Sequence, residues 1–92
     1  MSGNKPYRIE YLPEVLSSDI PRLGKSARKL IERAIATRLT TNPLLYGKPL
    51  RHSLSGHRRL RVSDYRIVYY IEPDMHAVVV TAIRHRSVIY DD

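Results

Sequence analysis

The sequence contains no cysteine. That absence removes a disulfide framework, a thiolate zinc site and a cysteine nucleophile at once. It is compatible with a reducing cytoplasm, where the chain is expected to reside. Long apolar runs are missing as well. The opening MSGNKPYRIEY has no hydrophobic signal core, and no stretch approaches the ~20 residues of a membrane span. A membrane partner is therefore not expected. Repeats and low-complexity segments are also absent.

Acidic residues are scarce: 9 Asp and Glu stand against 16 Lys and Arg in 92 residues, a formal charge of +7. A domain with this balance generally meets a polyanion. The charge is unevenly placed. Lys48, Arg51, Arg58, Arg59, Arg61 and Arg66 crowd one stretch, opposed within it only by Asp64. Arginine dominates, and its planar fork matches phosphate better than the point charge of lysine does. The length implies one domain over residues 1–92, with 1–6 a disordered lead-in. So short a chain buries only ~60–65% of its surface, which leaves room for a partner to stabilise it.

Residues 7–11 (YRIEY) alternate and favour a strand. Pro13 suits the first turn of a short helix that ends or kinks near Pro21. Over 26–40, Ala27, Leu30, Ile31, Ala34, Ile35 and Leu39 fall on one helical stripe, with Arg28, Lys29, Glu32, Arg33 and Arg38 opposite. TTNP stops this helix, because the residue before a proline avoids the helical region. YGKPLRHSLSG reads as a loop. Three strands follow, over 57–62, 65–72 and 77–84, joined by tight turns at Ser63-Asp64 and Pro73-Asp74. Strands so joined pair antiparallel. The expected fold is α+β: an antiparallel sheet of about four strands, two N-terminal helices on one face, and order βααβββ plus a short C-terminal tail.

Strand parity sorts the faces. Leu60 and Val62, then Tyr65, Ile67, Tyr69 and Ile71, then Ala77, Val79, Thr81 and Ile83 are assigned to the helix side. The other face then carries Arg59 and Arg61, then Arg66, Val68 and Tyr70, then Val78, Val80, Ala82 and Arg84. Convergent arginines repel one another, so an anionic ligand is the natural counterpart. The apolar strip beside them calls for a protein cover. His52, His57 and His76 have no carboxylate or cysteine beside them in sequence, and no metal site or other cofactor is expected.

The YRIEY opening, TTNPLLYGKPLRHSLSG, LRVSDYRIVYYI and the ending IRHRSVIY, in this order and spacing, resemble the RelE/ParE toxin superfamily from Tyr7 to Tyr90. The resemblance implies the toxin of a type II toxin–antitoxin system: a metal-independent endoribonuclease, or mRNA interferase, that cuts messenger RNA in the ribosomal A site. In such chemistry the ribose 2′-hydroxyl attacks the adjacent phosphorus. The resemblance assigns scissile-phosphate contact to Arg66, transition-state stabilisation to Arg84 and the general base to Tyr90. Arg59 and Arg61 fall where RelE has two lysines that support the charge. Arginine, unlike lysine, cannot give up its proton. Arg58, Arg86, Lys48 and Arg51 complete the expected phosphate-binding set. Arg86 is an alternative to Arg84, and His85 an alternative to Tyr90. The partners implied are a cognate antitoxin in a hetero-oligomer, the 16S ribosomal RNA and messenger RNA. Two other functions share the fold: a ParE-like inhibitor of DNA gyrase, and an inactive member that binds only its antitoxin.

Overall fold

A computed structural model describes residues 5–88. Strand β1 (Arg8–Tyr11) leads into a helical turn, Val15–Asp19. The turn is wound wide, with the Ile20 amide donating to the Val15 carbonyl at 2.9 Å. It closes before Pro21, as expected of a residue that supplies no backbone donor. Helix α1 (Lys25–Ala34) continues into a second wide turn, Ile35–Leu39. Ile31, Ala34, Ile35 and Leu39 are buried, whereas Leu30 remains 45% exposed. The apolar stripe is thus narrower than the spacing suggests. Hydroxyls of Thr37 and Thr41 donate to the carbonyls four residues earlier, at 2.8 and 2.7 Å, and occupy acceptors at the end of the helix.

Two further elements follow the long helix, the second of them within the stretch read as loop. Helix α2 (Pro43–Tyr46) starts with proline at its first position, where the missing N–H costs nothing. Strand β2 (Lys48–Pro49) pairs with the start of β3 (Arg58–Val62). Strands β4 (Tyr65–Glu72) and β5 (Ala77–His85) complete the sheet. It has five strands in the order β1-β5-β4-β3-β2. It is not wholly antiparallel: β1 runs parallel to β5. That pairing needs a crossover, which the helical segments between β1 and β3 supply on one face.

The face assignment for the first half of β5 is corrected by a bulge. Val68 pairs with Ala82, but Tyr69 pairs with Val80, so Thr81 is an extra residue. One extra residue reverses the alternation before it. Val78 and Val80 therefore join the core beneath the helices with Leu60, Val62, Ile67, Tyr69 and Ile83. Ala77 and Val79 instead share the open face with their partners Glu72 and Tyr70. The open face is also less bare than expected, since Val68 and Val79 are buried.

At the N-terminal end, the Tyr7 ring stacks on His76 at 3.9 Å. The His76 ring also meets the Lys5 carbonyl at 2.7 Å. His76 closes the β4–β5 turn at φ 49°, the left-handed conformation that turns require.

Candidate nucleic-acid interface

The open face is organised in cross-strand rows. Arg61 on β3 pairs with Arg66 on β4, which pairs with Arg84 on β5. The next row is Arg59, Val68 and Ala82. Cross-strand partners lie on the same side of a sheet, so Arg59, Arg61, Arg66 and Arg84 share one face, as parity indicates. Three arginines in register are unfavourable by themselves, because like charges directly opposite one another destabilise a sheet. The row is accounted for if something anionic lies across it.

The arginines differ in what holds them. Arg66 is half-buried, and its Nη1 is buried without a hydrogen-bond partner among the described residues. A buried, unmatched donor is costly. Arg84 is held by Asp19, which is itself 5% exposed. The other duty of the Asp19 carboxylate is to accept the Ile83 amide at 2.9 Å. Asp19 therefore fills the place along β5 where β1 has already ended, and it fixes the arginine beside it. The sequence carries no local signal for this contact.

Arg58 is not brought to this face. It pairs with the core residue Tyr69, and its Nη2 donates to the carbonyls of Leu44 and Gly47 at 2.8 and 2.7 Å. Tyr69 adds a hydroxyl bond to the Pro43 carbonyl at 2.6 Å. Burial, partly offset by Arg58, pushes the Tyr69 phenol above its ordinary value, and this residue serves the fold. Arg86 lies beyond β5, 3.6 Å from the Asp64 carboxylate. His85 meets the Ser87 hydroxyl at 3.0 Å and the Tyr65 ring edge-on, away from the arginine row. Arg51 is exposed ahead of a short turn over His52–Leu54. Lys48 pairs with Arg59. Tyr90 lies outside the described residues.

From the sequence, His57 is weighed only as a metal ligand. It stands edge-on to Tyr70 at 5.4 Å, with Nδ1 buried and without a partner among the described residues. Its position two residues before Arg59 was the available signal, since residues two apart share a face. Among the described residues, no group of three His, Cys, Asp or Glu is placed to hold a metal ion. The face therefore offers fixed positive charge and one imidazole. Such a face can grip a phosphodiester and stabilise added negative charge on it.

Residues 9–90 match the family model described as the ParE toxin of the type II toxin–antitoxin system, parDE. This chain belongs to the RelE/ParE toxin superfamily. The toxin is similar to Toxin RelE of Mycobacterium tuberculosis, with 33% identity over 90 residues that span 98% of this chain and 92% of that protein. Its fold resembles the crystal structure of the RelBE2 toxin–antitoxin complex of the same organism. That match has a TM-score of 0.82 and 28% identity over 88% of this chain and 99% of that one. The isolated E. coli RelE toxin shares the fold at TM-score 0.71 and 17% identity, covering 86% of this chain and 83% of that one.

Proposed function

We propose that this type II toxin cuts messenger RNA on the ribosome. The observation that carries this reading is the row Arg61–Arg66–Arg84 on an open sheet face. The ribose 2′-oxygen attacks the adjacent phosphorus and the bond to the 5′-oxygen breaks. A 2′,3′-cyclic phosphate and a 5′-hydroxyl remain. Arg66 binds the scissile phosphate, and Arg84 meets the charge that develops on the phosphorane. A cationic donor set of this kind repels a divalent ion and replaces its electrostatic role.

The arginines cannot transfer protons. Tyr90 is the proposed general base. Water at the open face protonates the departing 5′-oxygen. Arg59, Lys48 and Arg51 extend the phosphate-binding surface. Several structural relatives were solved as toxin–antitoxin complexes, and a cognate antitoxin in the cytoplasm is the proposed partner here.

A second reading, inhibition of DNA gyrase, is favoured by one observation: the matching family model bears the name of ParE. Translating ribosomes treated with the pure toxin distinguish the two. New messenger 5′ ends within A-site codons are expected. Intact messenger with inhibited gyrase would replace this reading with the second. Intact messenger with active gyrase would leave a protein that only binds its antitoxin.

A further inference from the structure

Strand β2 covers only Arg58 and Arg59 of β3. Beyond it the edge of β3 opens into a cleft of about 350 Å³, lined by Arg38, Tyr46, Lys48, Arg59, Leu60 and Arg61. Four of the six are cations and none is an acid. They arrive from four elements: the wide turn after α1, helix α2, β2 and β3. Arg38, Lys48 and Arg61 have no ion-pair partner among the described residues. The Arg38 guanidinium lies 6.0 Å from the centre of the Tyr46 ring, and Tyr46 is 48% exposed. Like charges also face each other across the strands, Lys48 opposite Arg59, which weakens rather than strengthens so short a pairing.

We infer that this cleft is a second subsite for single-stranded RNA, holding a backbone phosphate and one stacked base. It continues the arginine row around the sheet edge, since Arg61 belongs to both and Arg59 lies in the neighbouring row. Arg38, Lys48 and Arg61 grip the phosphate, and Tyr46 offers its ring to the neighbouring base. An aromatic ring beside convergent cations is the combination that binds single strands without reading their sequence. A double helix would not serve, because its bases are already stacked on one another. The inference rests on the RNA-cleaving reading above. It adds a site one or more nucleotides away from the cut, reached by strand length rather than by codon identity.

The test uses the full-length toxin and a labelled single-stranded 2′-O-methyl oligoribonucleotide, which lacks the attacking hydroxyl and cannot be cut. Affinity is read by fluorescence anisotropy as salt and strand length are varied. Arg38→Ala should weaken an eight-nucleotide strand by roughly 5- to 10-fold and reduce the logarithmic salt slope by about 0.7. Tyr46→Ala should weaken it by at least about fivefold, the loss of one stacked base. Both effects should persist on a dinucleotide, whose single phosphate and two bases can occupy the cleft alone, although its overall affinity should be far lower. Lys29→Ala removes an equal charge from the exposed face of α1 and controls for overall basicity. The inference is overturned if Arg38→Ala behaves like Lys29→Ala. It is also overturned if Arg38→Ala impairs capture of an acidic antitoxin peptide while leaving the oligonucleotide unaffected. Cleavage of ribosome-bound messenger by Arg66→Ala separates the two levels. If that variant is inactive but the cleft variants bind normally, only the subsite fails. If it cuts at the wild-type rate, the underlying reading fails.

Discussion

Asp19 holds Arg84 across 64 residues of chain, and the same carboxylate caps the amide of Ile83. It is the buried charged residue among the described residues, and it lies against the arginine proposed above to stabilise the transition state. The arrangement fixes a flexible side chain before substrate arrives, so that less ordering is left to the reaction itself.

Removing that carboxylate has two separable consequences. Asp19→Ala leaves the Ile83 amide unmatched and is expected to cost on the order of 2–3 kcal/mol. The arginine is more than a third exposed, which moderates the ionic part. Asp19→Asn keeps an acceptor for the amide and should cost only about 1 kcal/mol. Urea unfolding measures both. In the cleavage assay, Asp19→Asn should lower turnover more than binding, and equal losses in both would show that Asp19 does not position Arg84.

Arg66→Ala and Arg84→Ala should each abolish growth arrest. The melting temperature should stay near wild type for Arg66→Ala and fall for Arg84→Ala, which leaves the buried Asp19 carboxylate without its cation. Loss of one such donor raises the barrier by about 3 kcal/mol, a hundredfold or more in rate. Full toxicity from a folded Arg66→Ala protein would require another mechanism. Tyr90→Phe should slow cleavage while leaving ribosome binding unchanged.

Gly47 is required by a close approach. A Cβ there would stand 1.9 Å from the Tyr69 hydroxyl oxygen and 2.8 Å from the ring carbon that bears it. Tyr69 is wholly buried and bonded to the Pro43 carbonyl, so it cannot swing away cheaply. Gly47→Ala should destabilise by about 1–3 kcal/mol or more. The penalty should shrink in a Tyr69→Phe background, where the clashing oxygen is gone. Additive losses in that double-mutant cycle would place the strain elsewhere.

Stability should fall at alkaline pH. Burial raises the Tyr69 phenol, and burial followed by Glu32 raises that of Tyr11, from an ordinary value of 10.0. The folded state therefore holds these protons more tightly than the unfolded chain. Their contribution is complete below about pH 10 and is lost as pH rises through the folded values. Denaturant titrations from pH 8 to 11 should show the decline, and it should be shallower in Tyr69→Phe. An unchanged slope would remove Tyr69 as a source.

The sequence by itself determined the strands at 65–72 and 57–62, the long helix, and the gathering of Arg59, Arg61 and Arg66 on one face. Those features follow from periods of 2 and 3.6 residues, which are local and repeat along the chain. Only the tertiary structure decided the rest. The bulge at Thr81 reverses the faces of Val78 and Val80, because alternation counts residues and cannot register one that the partner strand does not match. The two-residue β2, the parallel docking of β1 and the turn of Arg58 toward Leu44 and Gly47 depend on partners distant in sequence. So does the clamp of Asp19 on Arg84, for no spacing rule links a helical turn near the start of the chain to the last strand. Such pairings exist only once the core has closed and brought the two segments together.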